Sequence, residues 1–187
     1  MAIKLFLMSW HRTGSNFLMT NLGHFDGMDL RSSHYVTEIE NGYQGITIAR
    51  DPLLTIASAI CNTDFKNIPQ ESLNINHMIK QYYDFHLEIL GLKHNIFITF
   101  DDLTKNTKET ISQLLKNTNA NMDNYYFEQN LDNIKNNYKS TSAGTQRHFE
   151  AVAELRKSEL SGCYRVYNEM RRRALFVPGT VADVVTE

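Results

Sequence analysis

Ile3-Lys4-Leu5-Phe6-Leu7-Met8 is apolar at every position but one and breaks at once into the turn-prone Arg12-Thr13-Gly14-Ser15-Asn16. A short apolar run bounded by turn residues predicts a buried strand entering a loop. From Phe17 the period changes: Phe17, Leu18 and Leu22 fall at helical spacing, and Gly23 stands where a helix closes. The same unit recurs. Gly45 to Ala49 predicts a second strand, Arg50-Asp51-Pro52 a loop, and Leu53 to Ile60 a helix with Pro52 near its first turn. A long periodic helix over about Leu73 to Leu92 leads to a third strand, Asn95 to Phe100, then to Asp101-Asp102-Leu103 and a helix over about Lys108 to Lys116. Strands alternating with helices predict an α/β fold, a central parallel sheet flanked by helices.

Beyond Asn117 strand signals fade. The pattern predicts helices over about Asn124 to Asn136 and about Glu150 to Arg173, with a weak point at Ser161-Gly162. The tail from Phe176 to Glu187 reads as either a packed arm or an oligomer contact. No repeat and no low-complexity linker divides the chain, so residues 1–187 read as one domain: a βα core over 1–116 and a mostly helical portion over 117–187.

With 187 residues the chain is long enough for a core of its own, and 42% hydrophobic with 21% charged residues excludes a disordered or collagen-like protein. A formal charge of −2 argues against a general nucleic-acid binder. Cys61 and Cys163 form neither a metal-ligand pair nor a disulfide framework, which points to a reducing cytoplasm. The apolar run at Ile3 to Met8 is far below the ~20 residues that cross a bilayer and lacks a signal-peptide cleavage site, so a soluble, unexported protein is expected.

Candidate chemistry collects where strands run into helices. In a parallel sheet, ligands bind beyond the carboxyl ends of strands, and a helix start offers backbone N–H groups and a positive dipole end. Trp10 to Phe17 lies there: Gly14 permits close backbone approach, Thr13, Ser15 and Asn16 add short polar groups, and Arg12 adds a charge suited to phosphate or sulfate oxygens. No lysine follows Gly14 and no glycine precedes it by five positions, which disfavours a Walker-type triphosphate site. At the second junction Arg50 ends a strand, and Ser58 follows eight residues on.

Together these segments resemble the sulfotransferases that use 3′-phosphoadenosine 5′-phosphosulfate (PAPS). Arg12-Thr13-Gly14-Ser15-Asn16-Phe17 resembles their 5′-phosphosulfate loop, Ile48-Ala49-Arg50-Asp51-Pro52 through Ser58 their 3′-phosphate motif, and Ile98 to Leu103 their strand ending Tyr-Glu-Asp-Leu. The resemblance spans about Ile3 to Lys116 and implies a single P-loop-like domain. It implies that amides from Thr13 to Phe17, with the Ser15 and Asn16 side chains, hold the 5′-phosphate, and that Arg12 stabilises the leaving phosphate. It further implies that Arg50 and Ser58 hold the 3′-phosphate and that Phe17 stacks near the adenine. His11 stands where the family often has proline, Phe100 lacks the family's tyrosine hydroxyl, and the distal Arg-Lys-Gly signature is missing, with Arg147 or Lys139 as substitutes.

Transfer to an alcohol needs a group that takes the hydroxyl proton, and histidine suits that task near neutral pH. Among the seven histidines, His34 in Arg31-Ser32-Ser33-His34-Tyr35 resembles the family's basic histidine, with Glu38 as the carboxylate alternative. His11 reads as packing beside the phosphate loop. No HxH or HExxH spacing occurs, so no metal is expected. Tyr82, Tyr83 and Phe85 read as core packing, with an acceptor-pocket wall as the alternative, and Arg171-Arg172-Arg173 as a solvated helix end, with guidance of an anionic substrate as the alternative. The expected activity is metal-free sulfuryl transfer from PAPS, leaving 3′-phosphoadenosine 5′-phosphate, to a small-molecule or glycan hydroxyl, with no nucleic-acid partner and with a homo-oligomer left open. The alternatives are a kinase-like phosphotransferase and a non-catalytic nucleotide binder.

Overall fold

The structure is a computed structural model and describes residues 3–25, 27–39, 42–61, 74–93, 95–118, 134 and 145–175. The expected helix at Asn124 to Asn136, the tail from Phe176 and the candidate Lys139 lie outside the described residues. Strands β1 (Ile3–Met8), β2 (Met28–Ser33), β3 (Gln44–Ala49) and β4 (Asn95–Thr99) form a parallel sheet in the order β2-β1-β3-β4. The helices are α1 (Ser15–Leu22), α2 (Pro52–Ile60), α3 (Ile75–Gly91), α4 (Phe100–Lys105), α5 (Thr107–Lys116), α6 (Gln146–Leu155) and α7 (Ser161–Arg173).

Alternation along each strand divides the core between the two faces of the sheet. Leu5, Leu7, Ile46, Ile48 and Ile98 pack with Leu18 and Leu22 of α1, Leu103 of α4 and Ile111, Leu114 and Leu115 of α5. Met8, Ala49 and Phe97 face the other way, onto Ile56 and Ile60 of α2, Tyr82 and Ile89 of α3, Leu155 of α6 and Val166 and Met170 of α7. Each fully buried Leu or Ile contributes roughly 1.5–3 kcal/mol by leaving water. The α/β class is therefore as expected, a parallel sheet between two helical layers.

Local chemistry sets the boundaries. Asp51 accepts a hydrogen bond from the Leu54 N–H at 2.9 Å and caps α2, with Pro52 in its first turn. Thr99 and Asp102 cap one another: the Thr99 hydroxyl accepts from the Asp102 N–H at 3.0 Å and donates to the Asp102 carboxylate at 2.6 Å. That pair starts α4 at Phe100, so the strand expected to reach Phe100 stops at Thr99, and Asp101-Asp102-Leu103 lies in a short helix ahead of α5. The helix expected from Glu150 to Arg173 is two helices. The break falls before Ser161, because Leu160 turns into the core and Glu159 accepts the Ser161 N–H at 2.7 Å to begin α7. Gly162, expected at the weak point, lies inside α7, where the Tyr83 ring approaches to 3.4 Å of the position a Cβ would take.

After α7, the Leu175 N–H donates to the Phe97 carbonyl at 2.9 Å, and Ala174 forms a parallel bridge to Phe97. Arg172 and Arg173 are exposed, as expected of a solvated helix end, and pair with Glu169 at 2.7 and 2.6 Å. For the site the decisive feature is the strand order. The chain leaves β1 toward β2 on one side, while β3 and β4 extend the sheet on the other. Beyond the carboxyl ends of β1 and β3 the connections diverge, and such a switch point opens a crevice between the two loops.

Candidate functional site

The loop after β1 is held in an unusual conformation. Arg12 has φ 64° and Gly14 φ 94°, so two of three consecutive residues occupy the left-handed region. For arginine that costs free energy, and the conformation persists only where surrounding contacts enforce it. They are visible here: the Thr13 hydroxyl donates to the Trp10 carbonyl at 3.0 Å, and the Arg50 guanidinium donates through Nη1 to the Arg12 carbonyl. Gly14 is the N-cap of α1 and supplies no side-chain cap to its first turn.

The loop after β3 meets it. Arg12 Nε donates to Ser58 Oγ at 3.4 Å, across 46 positions of sequence. Arg50 and Ser58 are buried, at 8% and 2% exposure, so a guanidinium and a hydroxyl are held inside the protein beside a second guanidinium. Phe100, at the start of α4, is the shared support. Its ring lies 4.1 Å beneath the Arg50 guanidinium, and a Cβ on Gly14 would stand 3.1 Å from it.

Helices on the far face hold the second loop. The Tyr82 hydroxyl of α3 donates to the Arg50 carbonyl at 2.9 Å, and the Tyr164 hydroxyl of α7 to the Asp51 carboxylate at 3.3 Å. Burial pushes the Tyr82 phenol well above its ordinary value, and burial together with the Asp51 charge pushes Tyr164 up to about 12, so both stay protonated donors. From α6, buried His148 lies in the field of Arg50. Desolvation, helped by that positive charge, lowers its pKa.

His34 follows β2 directly, and because β2 neighbours β1 it stands beside the first loop. Its Nδ1 is 2.8 Å from the Ser9 carbonyl oxygen, and its ring stacks on His11 at 4.7 Å with 26° between planes. Glu38 is exposed on the connection from β2 to β3.

No protein-family model and no curated protein sequence matches the chain. Among solved structures it is similar to mouse sulfotransferase SULT7A1 complexed with PAP. That likeness has a TM-score of 0.49 and 9% identity, and covers 90% of this chain and 82% of the other.

Of the residues singled out in the sequence, Arg12, Gly14, Arg50 and Ser58 converge at the crevice, and His34 borders it through Ser9 and His11. Thr13 is fully buried and its hydroxyl is engaged by the Trp10 carbonyl. Ser15 and Asn16 open α1, while Phe17 packs against the α1 face of the core. Arg147 sits on α6, where its charge acts on the Cys61 thiol. Tyr164 and His148 carry no site signal in the sequence, and the support that Phe100 and Tyr82 give the two loops is not marked there either. Their only sequence signal is position: Phe100 ends a strand at the ligand edge, and Tyr82 carries a polar tip into an apolar stripe. Among the described residues no three His, Cys, Asp or Glu side chains gather as a metal set, and no helix is long and apolar enough to cross a membrane. Chemically, two guanidinium groups, a buried hydroxyl and a helix start are all donors, the set that an anion with several oxygens takes.

Proposed function

We propose that this protein binds 3′-phosphoadenosine 5′-phosphosulfate and transfers its sulfuryl group to a hydroxyl acceptor, the whole chain acting as one unit. The observation that carries this reading is the meeting of Arg12 with Ser58 and of Arg50 with the Arg12 carbonyl, which joins the two family-like motifs in one donor cluster. When bound, the nucleotide supplies an activated sulfuryl group. Thr13 to Phe17 then offer backbone amides and the Ser15 and Asn16 side chains to the 5′-phosphate. Arg50 and Ser58 take the 3′-phosphate, and Phe17 borders the adenine. Arg12 sits where negative charge grows on the departing phosphate, so its contribution is larger in the transition state than in the bound ground state. His34 takes the acceptor's proton at Nε2, since Nδ1 is engaged by Ser9. The acceptor is a small molecule or glycan. Two free, buried cysteines suit a reducing cytoplasm.

Calorimetry with adenosine 3′,5′-bisphosphate and with 5′-AMP tests the reading. A 3′-phosphate held by a charge-assisted pair is worth about 1.5–3 kcal/mol, so the bisphosphate binds roughly ten- to a hundredfold tighter and Arg50→Ala removes most of that margin. Equal affinity for the two nucleotides refutes the assignment. Transfer of labelled sulfate from PAPS to a panel of phenols, alcohols and sugars then separates an enzyme from a binder, and transfer of phosphate from ATP that requires Mg²⁺ returns the kinase alternative.

A further inference from the structure

The sheet edge carries a second histidine that the proposed chemistry does not use. His11 occupies the position before Arg12, and its ring lies between two aromatic neighbours. Trp10 is 4% exposed and packs edge-on against fully buried Tyr82, centroids 5.3 Å apart. His11 in turn packs edge-on against Trp10 at 5.7 Å and stacks on His34 at 4.7 Å. A continuous line of rings therefore runs from the core of the protein to His34. The far end of that line needs it: His34 is exposed, and Tyr35 beside it is 78% exposed, so the β2 segment offers little packing of its own.

The partner of Nδ1 is equally fixed. Ser9 is 1% exposed, and its N–H donates to the Ser33 carbonyl at 3.0 Å, extending the β1–β2 ladder one step beyond the strands. A carbonyl oxygen only accepts, so the proton of a neutral His34 sits on Nδ1 and the lone pair on Nε2. That is the less favoured tautomer of a free imidazole, and it is the one a base acting at Nε2 requires.

We infer that His11 is the positioning residue for His34: by stacking on its ring it keeps Nδ1–H on the Ser9 carbonyl and leaves Nε2 as the proton acceptor. The inference rests on the reading of His34 as the base, but its physical core, tautomer control by the stack, is measurable without any reaction. Removing the stack returns rotamer freedom to His34, and the bond to Ser9 then competes with water.

Long-range ¹H–¹⁵N spectra of the imidazoles, recorded above pH 8 on the full chain, test this directly. In wild type the His34 shifts are those of the Nδ1–H form. His11→Ala moves them toward the Nε2–H form, while His11→Phe, which keeps a stacking ring, restores the wild-type pattern. If the His34 shifts are the same in wild type and in His11→Ala, the inference is overturned whatever the activity. With labelled PAPS and a responding acceptor, His11→Ala lowers kcat about two- to tenfold, the usual scale for ordering one side chain, at unchanged bisphosphate affinity, and His11→Phe recovers it. A loss seen in KM alone, or no recovery by phenylalanine, also overturns it. Absence of sulfuryl transfer in wild type, together with the tautomer change, removes the base reading and leaves the positioning intact.

Discussion

Gly14 adopts φ +94° and faces Phe100 so closely that a Cβ would lie 3.1 Å from two ring carbons. Backbone and packing demand the same residue there. An alanine meets a left-handed penalty of about 1–2 kcal/mol, and the ring must also shift, which disturbs the Arg50 guanidinium stacked on it at 4.1 Å. Gly14→Ala is therefore expected to lose about 1–3 kcal/mol in urea unfolding and most of its bisphosphate affinity. A variant as stable as wild type contradicts the described loop. At this scale the sequence was legible where a side chain has distinctive chemistry. Arg12, Gly14, Arg50 and Ser58 were found because charge, conformational freedom and spacing mark them. Phe100 stands out in the sequence as the end of an apolar run and by the hydroxyl it lacks, and nothing in such an aromatic residue announces that two loops rest on it.

Helices α3 and α7 contribute no residue to the crevice itself, yet each sends one hydroxyl under the Arg50-Asp51 turn. The two bonds are unequal in burial and length. Tyr82 is fully buried, so Tyr82→Phe leaves the Arg50 carbonyl short of a donor and is expected to cost about 1–3 kcal/mol and to weaken bisphosphate binding severalfold. Tyr164 is only half-buried and its bond is 3.3 Å, so Tyr164→Phe is expected to cost less than about 1 kcal/mol. Parallel urea titrations decide the order, and a larger loss in Tyr164→Phe reverses this account. Elements with a clear period, β1, β3, α2, α3 and α5, were legible to within a few residues. Strand β2 gave no apolar run, because it lies at the sheet edge with Asp29 and Arg31 partly exposed, and it came into view only through the motif around His34. The weak point at Ser161-Gly162 adjoins the break, which falls just before Ser161: the glycine that looks like a helix stop lies inside α7, and buried Leu160 stands at its N-cap.

For the molecule as a whole, acid sensitivity follows from His86. Its Nδ1 donates to the Tyr82 carbonyl at 2.7 Å, and complete burial holds its pKa down to about 4 against an ordinary 6.5. The folded protein keeps this ring neutral while the unfolded chain protonates it below about pH 6.5. Stability is thus complete above that pH and falls as pH drops toward 4, by on the order of 3 kcal/mol for this one group. His148 is shifted in the same direction by burial and by Arg50. Urea unfolding between pH 7.5 and 4.5 should show the decline, and His86→Leu should flatten it; an unchanged slope assigns the sensitivity elsewhere. The bridge between Ala174 and Phe97 has a different consequence. A parallel sheet of four strands has two margins at which a neighbouring molecule can add a strand, and each margin here is obstructed by its own device. Along β2 stand the paired charges of Asp29 and Arg31, and along β4 the chain itself returns after α7 to occupy the Phe97 carbonyl. Ala174 and Leu175, just after α7, therefore stand where a neighbour's strand would pair with Phe97, and a chain cut at Arg173 is expected to self-associate more than the full chain in concentration-dependent light scattering.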